Sequence, residues 1–200
     1  MWIYWFYAII KSMETKNKKE TETKETKKEN TKKEVWGYVK IIIIAALIAL
    51  FCNKVLIANV KIPSESMLDT IQVGDRLIGS RLAYKFSDVE RGDIAIFKYP
   101  DDESQVFIKR VIGLPGETVE IRDGKVYIDD SDTPLDEPYV KGVPTGDYGP
   151  YVVPEGCYFM MGDNRGDSLD SRFWNNTYVK ENKSIAKALF RYFPKPGNIE

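Results

Sequence analysis

The sequence predicts a mainly β domain preceded by one N-terminal transmembrane helix. Three observations carry that prediction. An almost uninterrupted apolar stretch runs from Val35 to Val60. Beyond Val60 the apolar residues recur with period two rather than 3.6. Asp123-Gly124 also separates two cleanly alternating runs, a strong β-hairpin signal.

The composition sets the first limits on function. The 200 residues carry 29 Lys plus Arg, 30 Asp plus Glu and no His. A Ser-His-Asp triad is therefore excluded, as is a zinc site that needs imidazole. Cys52 and Cys157 are the two cysteines, too few for a thiolate metal cage or a disulfide framework. The net charge of -1 argues against a nucleic-acid partner. That average hides an asymmetry. Residues 11–34 hold nine Lys and six Glu, whereas residues 61–200 hold 18 basic and 24 acidic residues. A chain divided in this way suits an interface better than a single solvent.

Taken in order, residues 1–10 (MWIYWFYAII) are too short to span a bilayer and too apolar to sit free in water. Two readings stay open: a segment dipping into the head-group layer, or a start-site artefact with Met13 as the true start. Residues 11–34 are low-complexity Lys/Glu/Thr and read as a disordered cytoplasmic tether. Residues 35–60 are the span. Ile41 to Cys52 is twelve residues without a polar side chain, and the flanking residues bring the run to the ~20 that a bilayer requires. Lys40 and Lys54 lie ~21 Å apart along a helix and can snorkel to opposite head-group layers. Trp36 and Tyr38 suit an interfacial belt. All-round apolarity argues against a buried helix of a soluble core. A cleavable signal peptide is the weaker reading, because Ile57-Ala58-Asn59 is a poor cleavage site. The nine preceding Lys place the N-terminus in the cytoplasm and residues 61–200 outside it.

In that outer domain, Asp93–Tyr99, Gln105–Leu114, the Val119–Ile128 hairpin and Gly156–Asp163 read as strands. Five prolines mark an irregular excursion over 129–155. The one helical candidate is weak, around Ser184–Phe190.

With no His, an activated hydroxyl needs a Lys in its neutral form, and hence a desolvated one, since the reference pKa near 10.4 leaves almost no free amine at neutral pH. Lys98, Lys109 and Lys125 lie in strand context. Lys125 adjoins a turn and Lys98 alternates outward. Lys109 shares its strand face with apolar Phe107 and Val111, which fits a surface residue with a buried stem more readily than a catalytic base. The candidate nucleophiles are Ser64 and Ser66, in a Pro-led segment that would otherwise read as a turn.

PSESM, the GDI of RGDIAIF, KRVIGLPGE and GDNRGDSLDSR follow one another after the membrane span. Together they resemble type I signal peptidase, over roughly Val35 to Phe193. LexA-like autoproteases share a related Ser/Lys arrangement but lack the span and the GDNR box. The resemblance implies an extracytoplasmic signal-peptidase/LexA-like β domain. It also implies Ser66 as nucleophile, Lys109 as general base, and an oxyanion hole from the Ser64 hydroxyl and the Ser66 backbone N–H. Ser168 matches the serine that orients the Lys. Asp163, Arg165, Arg110, Asp170 and Arg172 would form a supporting shell. Ile62, Pro63, Met67, Ile71, Phe107 and Ile108 are candidate walls of shallow apolar pockets.

One residue departs from the family pattern. Asp69 stands where Pro is expected, which frees a backbone angle and adds a carboxylate near Ser66. Cys157 reads as packing. The expected activity is a membrane-bound serine endopeptidase that cleaves signal peptides from exported preproteins after small residues, through an acyl-enzyme. No metal or organic cofactor is expected. The expected partners are signal-peptide-bearing preproteins, the lipid bilayer and the secretion translocon, and the expected location is the bacterial cell membrane. The alternatives are an inactive preprotein-binding relative, for which Asp69 is the only support, and a pilin-type peptidase with a dedicated substrate.

Overall fold

In a computed structural model, the described residues are 34–140 and 146–199, with Lys11, Met13 and Thr15 besides. The apolar residues 1–10 and nearly all of the 11–34 tether lie outside them. The chain divides into two compact units, 1–50 and 51–200.

The first unit contains most of helix α1 (Glu34–Leu56), which is long and apolar enough to cross a membrane. Its isoleucines and leucines from Ile41 to Leu50 are exposed, so the helix is apolar on every side. The final turn, Cys52–Leu56, widens to a π-helix. The helix stops four residues short of the expected Val60. Ile57–Lys61 instead form strand β1, paired antiparallel with β2 (Arg76–Ser80). The apolar run could not reveal this, because Ile57 and Val60 suit strand as well as span. Burial of Ala58 and the ladder with β2 settle it as strand.

The second unit is built on β3 (Ile94–Tyr99), β4 (Asp102–Gly113), β5 (Thr118–Arg122), β6 (Lys125–Ile128), β7 (Tyr148–Val152), β8 (Cys157–Met161), β9 (Val179–Lys180), β10 (Ser184–Phe193) and β11 (Gly197–Asn198). One sheet runs β1-β2-β10-β3-β4-β8-β9, with β11 on β10, and a second runs β6-β5-β7. A single short helix, α2 (Ala83–Phe86), joins β2 to β3.

The β5–β6 hairpin turns at Asp123 (φ 48°) and Gly124 (φ 74°), the left-handed pair that a two-residue hairpin needs. The excursion over 129–155 is more ordered than expected, since Tyr148–Val152 pair with β5. Residues 141–145 lie outside the described set. The helical reading of Ser184–Phe190 is wrong. This segment is the first part of β10, flanked by β2 and β3, and Ala186 and Ala188 turn into the core on alternate positions. Ladder bonds on both edges outweigh a weak helical preference.

Three apolar clusters fill the domain. One gathers Ile62, Met67, Ile71, Leu77 and Ile96. The second gathers Phe97, Val111, Met160 and Trp174, and the third Ile112, Val119, Ile121 and Phe159. Strand β4 touches all three through Ile108, Val111 and Ile112, so its central residues are held firmly.

Candidate active site

The segment after β1 is anchored by its apolar residues. Ile62, Met67 and Ile71 are sequestered in the first cluster, and backbone bonds from Ile62 N–H to the Asp75 carbonyl (2.9 Å) and from Gly74 N–H to the Ile62 carbonyl (2.9 Å) close the loop. These three residues were expected to wall a substrate pocket. With almost no exposed surface they act as pegs that fix Ser66. Pro63, Phe107 and Ile108, the other expected walls, do line an open groove beside Ser66, of about 490 Å³. Ser64, Ser66, Lys109, Val106 and Leu169 complete much of its surface.

Lys109 sits on β4 opposite Ala95 of β3 and is only 4% exposed. Its Nζ lies 2.6 Å from Ser66 Oγ and 3.2 Å from the Ile108 carbonyl, with the Phe107 ring centroid 5.4 Å away. Burial lowers the pKa of this amine from 10.5 to about 8, and the Asp170 and Asp163 carboxylates oppose the shift only in part. The unfolded chain keeps that proton up to about 10.5. The site therefore detracts from folding below about pH 8, and stability rises as pH climbs through that interval. Lys98 and Lys125, the other strand lysines, are exposed.

Ser64 Oγ is 3.4 Å from Ser66 Oγ, close enough for a carbonyl group attacked by Ser66 to have its oxygen within reach of the Ser64 hydroxyl. Ser168 is 6% exposed, and its Oγ is buried without a hydrogen-bond partner among the described residues. A buried orphan hydroxyl carries a desolvation cost that calls for a functional reason.

The charges of the GDNR loop are buried and paired. Arg110, next to the Lys, grips Asp163 through Nε (2.8 Å) and Nη2 (2.6 Å). Arg172 grips Asp170 (2.8 and 2.9 Å). Asp163 also accepts the Thr70 hydroxyl (2.6 Å), and Asp170 accepts the Gly162 N–H (3.0 Å). Buried pairs of this kind fix geometry rather than add much stability. Asp69 takes no part. It is exposed, and Arg165 and Arg172 are held by Glu137 and Asp170.

A buried Ser–Lys pair in a chain without His narrows the chemistry to a small set of hydrolases, and the sequence match decides among them. The family described as signal peptidase, peptidase S26, matches residues 35–193. The chain belongs to this family. Among its relatives, signal peptidase I of Leptolyngbya laminosa is 43% identical over 141 residues, 66% of this chain and 67% of that protein. Probable signal peptidase I-1 of Synechocystis is 39% identical over 170 residues, 80% of this chain and 85% of that protein. A solved signal peptidase I from Enterococcus faecalis is similar at 36% identity with a TM-score of 0.43, over 50% of this chain and 97% of that one. Like its family, this peptidase is a hydrolase of the serine endopeptidase class.

Several residues of this signal peptidase domain escaped the sequence reading. Gly162 is one. A Cβ there would come within 3.0 Å of both the Ser66 carbonyl oxygen and the Ser168 side chain. The opening Gly of GDNR is thus where the loop passes against both the Ser66 and the Ser168 segments. Asn164 donates its N–H to the Ser66 carbonyl (3.1 Å) and its side-chain amide to the Glu65 carbonyl (3.1 Å), tying the loop to the Glu65–Ser66 segment. Thr70 makes the matching tie to Asp163. Glu137 and Tyr139, in the excursion, pack on the two central arginines. Only Gly162 and Asn164 left a trace in the sequence, as members of the GDNR motif.

Proposed function

We propose that this chain removes signal peptides from exported preproteins by acyl transfer through Ser66, with Lys109 as the only acid–base group. The 2.6 Å approach of a desolvated Lys109 Nζ to Ser66 Oγ carries this reading. Neutral Lys109 takes the Ser66 proton as Oγ attacks the scissile carbonyl. The oxyanion is met by the Ser64 hydroxyl and the Ser66 N–H, each worth ~3 kcal/mol in the transition state. The lysinium then protonates the departing amine and leaves an ester on Ser66. Lys109, neutral again, draws a proton from water, which hydrolyses the ester. The Ser168 hydroxyl, buried and without a partner among the described residues, is free to turn toward the lysinium once the Ser66 proton has moved.

The substrate lies extended along β4. β8 pairs with β4 only from Arg110 onward, so Val106–Lys109 have β3 on one edge alone, which leaves backbone groups free to take up a peptide strand. The shallow apolar groove over Pro63, Phe107 and Ile108 suits small residues at the first and third positions before the cut. Helix α1 anchors the enzyme in the bacterial cell membrane as a single pass. The Lys-rich N-terminus is cytoplasmic and the β domain extracytoplasmic. Preproteins arrive from the bilayer, delivered by the secretion translocon.

One experiment tests both chemistry and orientation. Sealed spheroplasts carrying the full chain receive a labelled peptide with small residues at those two positions. Wild-type cells are expected to cut it at one bond without detergent, and cells carrying Ser66→Ala are not. Cleavage that survives Ser66→Ala overturns the chemistry. Cleavage that appears only after detergent overturns the orientation.

A further inference from the structure

Residues 134–140 precede a segment that the family motifs do not cover, yet two of their side chains reach the heart of the domain. Glu137 meets Arg165 through both carboxylate oxygens, with Oε2 2.9 Å from Nη1. The two side chains are 9% and 2% exposed; burial disfavours the Arg165 charge, but the hydrogen bonds and charge of Glu137 outweigh it and leave the guanidinium pKa raised. Tyr139 lays its ring over the Arg110 guanidinium, 3.8 Å from centroid to carbon, and donates its hydroxyl to Glu137 Oε1 at 2.8 Å. Burial is the largest cause raising the pKa of that hydroxyl, followed by the Glu137 charge, so it remains a donor at any working pH.

The two arginines lead to the two halves of the catalytic centre. Arg165 donates Nε to the Gly162 carbonyl (3.1 Å), and Gly162 is the residue packed against Ser66 and Ser168. Arg110 follows Lys109 on β4 and holds Asp163, which in turn holds Thr70 in the nucleophile segment. The Tyr139–Glu137 hydrogen bond therefore joins the arginine on the Lys109 strand to the arginine on the Ser168 loop. It is a second link beside the Gly162–Asp163 corner itself, whose carbonyl takes Arg165 Nε and whose carboxylate takes Arg110.

We propose that Glu137 and Tyr139 are positioning residues for the peptidase reaction, a strap that sets the Ser168 loop against the Lys109 strand by clamping Arg165 and Arg110 together. The proposal rests on the reading of Ser66 and Lys109 as the reacting pair. The strap touches neither substrate nor the reacting atoms. Its effect is geometric, through the separation of the Gly162 corner and the amine. Releasing either contact frees the loop to shift by a fraction of an ångström, which lowers turnover and leaves the open substrate groove unchanged.

The test uses the full-length protein in detergent and a preprotein substrate, with kcat and KM determined for each variant and a thermal melt run in parallel. Glu137→Gln keeps the shape and removes the charge, and is expected to lower kcat by on the order of 10- to 100-fold with KM within about twofold. Tyr139→Phe keeps the ring on Arg110 and removes only the hydroxyl, with an expected loss of about three- to tenfold, again in kcat alone. Glu137→Asp is expected to recover part of what Glu137→Gln loses. In the pair of variants and their combination, the double substitution is expected to cost less than the product of the two single losses, because both break one linkage. If Glu137→Gln does not fold, Tyr139→Phe decides alone. Wild-type kcat in a folded Tyr139→Phe protein overturns the proposal, as does a loss confined to KM. If the wild-type protein itself fails to cleave, the proposed function falls rather than the strap.

Discussion

Lys109→Ala is expected to lower kcat by roughly 10⁴- to 10⁶-fold, and Ser66→Ala by a similar factor, with the double substitution no worse than either single one. The reason is that the two side chains form one reacting unit, with Nζ at 2.6 Å from Oγ. Removing either leaves only the binding groove and the oxyanion donors. Non-additivity separates this from two independent effects, which would multiply. Lys109→Met gives a cleaner form of the same result. It fills the space with an apolar chain of similar length, in a site whose burial disfavours the charged amine. That variant is expected to be as inactive as Lys109→Ala, yet to melt at or above the wild-type temperature at neutral pH. Measurable turnover in Lys109→Met, above a few per cent of wild type, would show that the base lies elsewhere.

Gly162→Ala carries the next largest expected effect. The added methyl would lie closer than 3.0 Å to the Ser66 carbonyl oxygen, and 2.6 Å from Ser168 Cβ. Neither neighbour is the free end of a flexible side chain, so the loop and the nucleophile segment must separate. A displacement of ~1 Å at reacting groups costs on the order of 10²-fold in rate. Overpacking adds ~1–3 kcal/mol of destabilisation. Gly166, in the same loop, has open space where its Cβ would go. Gly166→Ala is therefore expected to stay within about twofold of wild type in kcat, a small surface-type change. Steady-state kinetics and thermal melts of the two variants side by side check the contrast. Equal behaviour of the two would remove the packing argument for Gly162.

What could be read from the sequence was local. The Asp123-Gly124 hairpin is fixed by two adjacent backbone angles. The apolar face around Lys109 shows in its period-two neighbours, and the absence of His is a count. What could not be read depends on pairing across long separations. Arg110 and Asp163 lie 53 residues apart, and Thr70 and Asp163 lie 93 apart. Nothing local distinguishes those charges from solvated surface ion pairs. Glu137 and Tyr139 fall in a proline-marked stretch whose pattern shows only irregular backbone. Ile62, Met67 and Ile71 are apolar and close to Ser66 in sequence, which suggested pocket walls. Their direction into the core follows from the loop closure by Ile62 and Gly74, a tertiary fact. The start of β1 was hidden for a different reason. Ile57 and Val60 continue the apolar run of α1, and only the partner strand β2 ends the helix.

The central claim is that Lys109, its pKa lowered by burial, activates Ser66 in its neutral form. The pH dependence of kcat/KM for the wild-type protein on a preprotein tests it most directly. Lys109 must lose its proton before it can act, so the rate rises with pH, and the limb reports the pKa of the free enzyme. With that pKa at about 8, the expected profile climbs with unit slope below pH 8 and levels off above it. At pH 6 only ~1% of the enzyme would carry the neutral amine, so the rate there is ~1% of the plateau. No His is present to add a limb near 6.5. A profile already flat by pH 6, with Lys109→Met still inactive, would contradict the account.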